Sequence, residues 1–175
     1  MKITAFAASN STQSINKALV TYACSLLAGA ETQVLDINDY EIPLFSVDRE
    51  AELGQPQLAA DFLARIAEAD ALVISFAEHN GSYSAAFKNL FDWCSRIEKR
   101  VWQGKPMVLL STSPGARGGA SVLDMATASA PHFDGEVKAT MAVPQFHENF
   151  DLERGQMTNE ELKQALQQSM NSLVS

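Results

Sequence analysis

Three short polar segments hold the side chains that could do chemistry. The first is SNSTQSIN, in which Ser9, Ser11, Thr12 and Ser14 carry hydroxyls, Gln13 and Asn16 carry amides, Ile15 is apolar and nothing is charged. Such donors ahead of a helix suit an oxygen-rich anion, because the first amides of a helix lack partners and its dipole favours negative charge. The same residue types also make ordinary N-caps, so alone this segment leaves both readings open. The second segment is Glu78, His79, Asn80, Gly81 and Ser82, after Ala77. Gly81 permits a positive φ and lets a flat ligand approach the backbone. The third runs Ser113, Pro114, Gly115, Ala116, Arg117, Gly118 and Gly119, with three glycines suited to the same close approach. A capped turn and a flexible turn are the plainer readings of these two.

The elements that must position these loops are legible as apolar runs. Residues 2–9, 32–38, 71–77, 106–112 and 137–143 read as strands, and the first, third and fourth are almost continuously apolar, as expected for strands covered on both faces. Between and after them lie helical stripes. Ile15, Leu19, Tyr22, Ala23 and Leu26 share one face, as do Leu58, Phe62, Ile66 and Ala69, and Phe87, Leu90, Phe91, Cys94 and Ile97. A weaker pattern spans Gly119 to His132. The last stripe is Leu162, Leu166, Met170 and Leu173, capped by Thr158 or Asn159. Five strands alternating with five helices predict one α/β domain over residues 1–175, a three-layer α/β/α sandwich around a parallel sheet of order 2-1-3-4-5. In that order the chain reverses between the first and third strands, and ligands bind beyond the strand ends at such a point. The three polar loops follow strands one, three and four, so all three are expected at one crevice. Residues 39–55 and 144–157 are left as long irregular connections.

Composition narrows the function. With 21 acidic against 13 basic residues the net charge is −8, which argues against a nucleic-acid binder, since phosphate neutralisation needs a basic face. No apolar run reaches membrane-span length and the N-terminus lacks a signal-peptide pattern, so the expected setting is cytoplasmic and away from membranes. Cys24 and Cys94 lie far apart without metal-ligand spacing, and His132 and His147 have no paired carboxylate; no metal site is expected.

The three loops resemble those of the NADPH-dependent FMN reductase family, which includes quinone, chromate and azo-dye reductases of flavodoxin-like fold. The family pattern G-S-x-R-x-x-S-x-N meets Ala8, Ser9, Asn10, Ser11, Thr12, Gln13, Ser14, Ile15 and Asn16, with Ser11 in place of the arginine. Its P-E-Y-N-x-S, followed by K-N and D-W, meets Ala77, Glu78, His79, Asn80, Gly81 and Ser82, then Lys88-Asn89 and Asp92-Trp93. Its S-x-G-x-x-G-G meets Ser113 to Gly119. The resemblance implies FMN as cofactor and NAD(P)H as co-substrate. The phosphate would rest on Ser9, Ser11, Thr12, Gln13, Ser14, Ile15 and Asn16. The ring would lie between Ala77, Glu78, His79, Asn80, Gly81 and Ser82 on one side and Ser113, Pro114, Gly115 and Gly118 on the other. It also implies a small-molecule electron acceptor and a homodimer, or a dimer of dimers, built partly by the helix that carries Lys88 and Trp93. His79 is the one candidate catalytic side chain; a solvated loop histidine is the plain alternative. Arg117 is a candidate contact for a nicotinamide-cofactor phosphate. The other classes in play are a flavodoxin-type electron carrier and a binding module that has lost FMN.

Overall fold

In the computed structural model, which describes residues 1–174, five strands form one parallel sheet: β1 (Lys2–Ala8), β2 (Glu31–Leu35), β3 (Ala71–Phe76), β4 (Lys105–Thr112) and β5 (Gly135–Val143). Their order is β2-β1-β3-β4-β5, as the alternation of elements predicts. The helices are α1 (Ile15–Ser25), α2 (Val47–Leu53), α3 (Gln57–Glu68), α4 (Ala85–Ile97), α5 (Ala120–Ser129), α6 (Phe146–Asn149) and α7 (Glu160–Asn171).

The near-continuous apolarity of the central strands has a direct cause: successive side chains enter two different cores. Phe6, Ala8, Leu72, Ile74, Phe76, Met107 and Leu109 join Phe62 and Ile66 of α3, Phe87 and Leu90 of α4, and Val122 of α5 on one face. Ile3, Ala5, Ala71, Val73, Val108 and Leu110 join Leu19, Val20 and Ala23 of α1 and Leu166 and Met170 of α7 on the other. Each large side chain buried in this way contributes about 1.5–3 kcal/mol. The result is the flavodoxin-like three-layer sandwich. Both thiols lie inside it, where burial pushes Cys24 and Cys94 up to about 12, so neither is a reactive thiolate near neutral pH.

Several boundaries differ from the sequence expectation. β2 stops at Leu35 because the Asp36 carboxylate accepts the Asn38 amide and opens a 3-10 turn at Ile37–Tyr40. The stretch 39–55 is not irregular throughout: α2 occupies 47–53, capped by Ser46 and stopped by Gly54, and none of its residues is buried. Residues 144–157 hold α6 and a two-stranded hairpin of β6 (Phe150–Asp151) and β7 (Gln156–Met157). The fourth expected helix ends at Ser129 and tightens into a 3-10 turn at Ala130–Phe133, where Pro131 sits near its start. Trp93 is fully buried, and its indole N–H donates to the Pro43 carbonyl at 2.7 Å.

Candidate active site

Strand register brings the three polar loops to one level. Ala8 pairs with Phe76 and Phe76 with Ser111, so the chain leaves β1, β3 and β4 side by side at the carboxyl edge of the sheet. There they enclose an open cleft of about 220 Å³, walled by Ser9, Ser11, Gln13, Ser14, Ile15 and Asn16, by Ala77, Glu78 and His79, and by Thr112, Ser113 and Pro114.

The first loop is held by its own hydroxyls. Ser9 Oγ accepts the Ser11 amide at 3.2 Å, Ser11 Oγ accepts the Gln13 amide at 3.3 Å, and Ser14 Oγ accepts the Lys17 amide at 3.1 Å as the N-cap of α1. A hydroxyl whose oxygen already accepts still carries one proton to give. The amides of Ile15 and Asn16, in the first turn of α1, have no acceptor within the helix. The loop is therefore a set of donors facing an anion-favouring helix end.

Asn16 departs from its expected role. Its side chain is 3% exposed, donates to the Thr112 carbonyl at 3.2 Å, and accepts from Ser75 Oγ at 2.7 Å and the Thr112 amide at 3.1 Å. The carbonyl oxygen and one N–H of that amide are spent on fixing the first loop to the ends of β3 and β4. Loss of this side chain would strand buried polar partners, at a cost of about 1–3 kcal/mol for each unsatisfied group.

The second loop is a two-residue hairpin turn. His79 and Ser82 exchange both backbone hydrogen bonds, at 2.9 and 3.1 Å, around Asn80 and Gly81 at φ +52° and +76°. Two successive left-handed residues make Asn-Gly the natural pair for such a turn. A Cβ on Gly81 would meet nothing within 4 Å, so the turn presents bare backbone. Just beyond it, Ser84 caps α4 and donates from Oγ to the Ala8 carbonyl at 2.9 Å, locking this loop to the end of β1.

The third loop is braced from behind. The Gln145 amide donates to the Gly115 carbonyl at 2.9 Å, the Phe146 amide to Ser113 at 3.1 Å, and Ser111 Oγ to the Gly118 carbonyl at 2.7 Å. Gly118 is pressed onto the chain at Val143–Pro144, whereas a Cβ at Gly115 would meet only Ser113 Oγ at 3.8 Å. The two glycines thus differ: one is required by packing, the other leaves open surface.

Among the described residues no Lys or Arg side chain walls the cleft. The ammonium of Lys17, one turn into α1, is turned to the Asp36 carboxylate, and hydrogen bonding to Lys17 holds Asp36 below the usual carboxylate range. Arg117 is exposed and donates to Ser121 Oγ at 3.1 Å. Of the expected site residues, Thr12 falls in a neighbouring groove beside α1 and His147. Asn80, Gly81, Ser82, Gly115 and Gly118 form the turns and do not line the cleft itself. Thr112 lines it without having been expected; a threonine ending an apolar strand carries no motif of its own. Among the described residues no three His, Cys, Asp or Glu side chains gather as metal ligands.

A second, more enclosed and largely apolar cavity of about 230 Å³ opens between α4 and α5, lined by Phe76, Tyr83, Phe87, Phe91, Trp102 and Phe133. Its polar groups are few. Tyr83 Oη and Ser129 Oγ pair at 3.2 Å, and burial pushes the Tyr83 phenol up. Lys88 and Asp92 pair at its rim. It offers little to a phosphate, so the three-loop cleft is the better seat for a phosphorylated ligand.

Comparison with known proteins matches residues 1–148 to the family described as NADPH-dependent FMN reductase. The chain is 32% identical over 148 residues to an NADPH:quinone oxidoreductase of Arabidopsis thaliana, covering 83% of this chain and 74% of that protein. It is 36% identical over 121 residues to a 2-hydroxy-1,4-benzoquinone reductase of Burkholderia sp, covering 69% of this chain and 64% of that one, just under two thirds of its length. In three dimensions it resembles FerB, a flavoenzyme NAD(P)H:(acceptor) oxidoreductase of Paracoccus denitrificans. The TM-score is 0.77 at 25% identity, over 99% of this chain and 94% of FerB.

Proposed function

This chain belongs to the NADPH-dependent FMN reductase family, and from that premise we propose that its three-loop cleft seats FMN and serves a small-molecule acceptor of the quinone, azo, chromate or free-flavin type. The observation that carries the reading is the run of three seryl oxygens, on Ser9, Ser11 and Ser14, that each accept a backbone amide and so keep a proton for an anion. Those protons and the first-turn amides of α1 fit a phosphate held without a counter-charge. The exposed backbone at Asn80–Gly81 and Gly115 fits a flat ring.

FMN, when bound by these loops, would supply the redox chemistry between NAD(P)H and the acceptor. The chain's own residues hold, orient and polarise. Asn16 fixes the phosphate loop to β3 and β4, so its donors are in place before the ligand arrives. Backbone N–H groups of the Asn80–Gly81 turn would favour negative charge developing on a ligand beside them, while the Gly115 N–H is held by Ser113 Oγ at 3.3 Å. His79, exposed at the edge of the cleft, is the side chain set to exchange a proton with a reduced acceptor.

Anaerobic addition of NADPH or NADH to protein reconstituted with FMN is expected to bleach the visible flavin bands, and a quinone to restore them. Bound flavin that stays oxidised with both nicotinamides would instead mark an electron carrier.

We also infer a homodimer joined across the face that holds the α4–α5 cavity. Met125 at its edge is 40% exposed. Lys88 and Asp92, paired with each other one turn apart on α4, would border that face. Sedimentation at micromolar concentration is expected to give a dimer that Met125→Glu converts to monomer; a monomeric parent protein contradicts the pairing.

A further inference from the structure

Helix α5 begins without a cap of its own. Its N-cap is Gly119, left-handed at φ +78° and with no side chain to accept an amide proton. The amide of Val122, a fully buried residue in the first turn, finds its acceptor in another loop: Glu78 Oε2, at 2.9 Å and 44 positions away. Glu78 also walls the three-loop cleft, and a Cβ placed on Gly119 would lie 3.7 Å from its own Cβ. A carboxylate at a helix N-terminus gains a charge-assisted hydrogen bond and a favourable dipole interaction. Here it does so while bridging the two turns that flank the cleft.

We infer that Glu78 is a positioning residue, clasping the second loop to the third and keeping a negative charge on the wall of the cleft. This rests on the reading of the cleft as the flavin seat. Two consequences follow from its dual placement. The clasp fixes the spacing between Ala77–Ser82 and Ser113–Gly118, so a ring between them meets a preformed gap. The charge opposes electrons arriving on that ring, so it favours the oxidised over the reduced form of the ligand. Glutamine separates the two effects, since its amide oxygen can still accept from Val122 while the charge is gone.

Wild type, Glu78→Gln and Glu78→Ala should be compared in two ways. Hydrogen exchange at the Val122 amide needs no flavin. It is expected to quicken about tenfold or more in Glu78→Ala and to stay within about threefold of wild type in Glu78→Gln. With FMN, Glu78→Gln should keep its affinity for the oxidised form within about threefold. Its preference for the reduced form should rise about tenfold, which is roughly 30 mV for a two-electron couple. Glu78→Ala should bind oxidised FMN about tenfold more weakly. Unchanged Val122 exchange in Glu78→Ala overturns the clasp, and an unchanged potential in Glu78→Gln overturns the charge. Val122 exchange that responds as expected in a wild-type protein that takes up no FMN would uphold the clasp and reject the flavin seat.

Discussion

Ser14→Asp is expected to weaken FMN binding by about 100-fold or more while leaving the protein as stable as its parent. Ser14 caps α1 by accepting the Lys17 amide, and Asp is as good an N-cap as Ser. The added charge even suits the helix dipole, so the fold should not suffer. What changes is the seat. A carboxylate now stands where a phosphate must come, and two like charges about 4 Å apart repel by roughly 4 kcal/mol at the effective dielectric of a protein surface. Among the described residues no Lys or Arg lines the cleft to offset this, and Lys17 is paired with Asp36. Ser14→Asn provides the control, with the cap kept and no charge added, and should lose only a few-fold. Riboflavin, which has no phosphate, should bind wild type and Ser14→Asp alike. Quenching of flavin fluorescence on titration with protein measures all of these affinities, and equal FMN affinity in wild type and Ser14→Asp would remove Ser14 from the seat.

The largest stability effect is expected at Gly118. A Cβ there would stand 2.6 Å from the Val143 carbonyl carbon and oxygen and 2.8 Å from the Pro144 nitrogen, all rigid backbone, and φ is +58°. The left-handed conformation costs a non-glycine residue about 1–2 kcal/mol and the overlap about 1–3 kcal/mol more. Gly118→Ala should therefore destabilise by about 2–5 kcal/mol and lower Tm by roughly 4–20 °C for a chain of this size. Gly115→Ala, where a Cβ meets only one hydroxyl at 3.8 Å, should leave Tm nearly unchanged. Thermal melts of the two variants side by side check the contrast, and similar melting of both would show that the third loop yields freely. Because Gly118 is also held through Ser111 Oγ, strain there should spread along the loop that flanks the cleft.

What the sequence disclosed follows from how each feature is stabilised. The central strands and the helices α1, α3, α4 and α7 owe their stability to burial, and burial writes periodic apolar residues into the chain. Helix α2 buries nothing, so only Ser46 and Gly54 mark its ends and no stripe marks its middle. The loops announced themselves through residue type, since hydroxyls and glycines in turns are conspicuous between apolar runs. Their internal bonding was not legible. Nothing in the text of the chain distinguishes an Asn16 facing only a ligand from one bonded to Ser75 and Thr112. The span from Glu78 to Val122 likewise needs the third dimension, because it joins two loops through a helix end that lacks its own cap. Asn89 and Trp93 belong to the same class. Both hold the segment around Pro43, through Asn89 bonds to Ile42, Pro43 and Phe45 and the Trp93 indole bond to Pro43, a structural duty that motif matching alone does not reveal.

The central claim is that uncharged donors at Ser9–Asn16 take the phosphate while the other two loops take the ring. Amide chemical-shift mapping of the ¹⁵N-labelled protein, titrated in parallel with FMN and with riboflavin, tests this most directly. FMN is expected to move the amides of Ser9–Asn16 together with those of Ala77–Ser82 and Ser113–Gly118; riboflavin should move only the latter two sets. Shifts confined to the cavity between α4 and α5, or a first loop that ignores FMN, would contradict it.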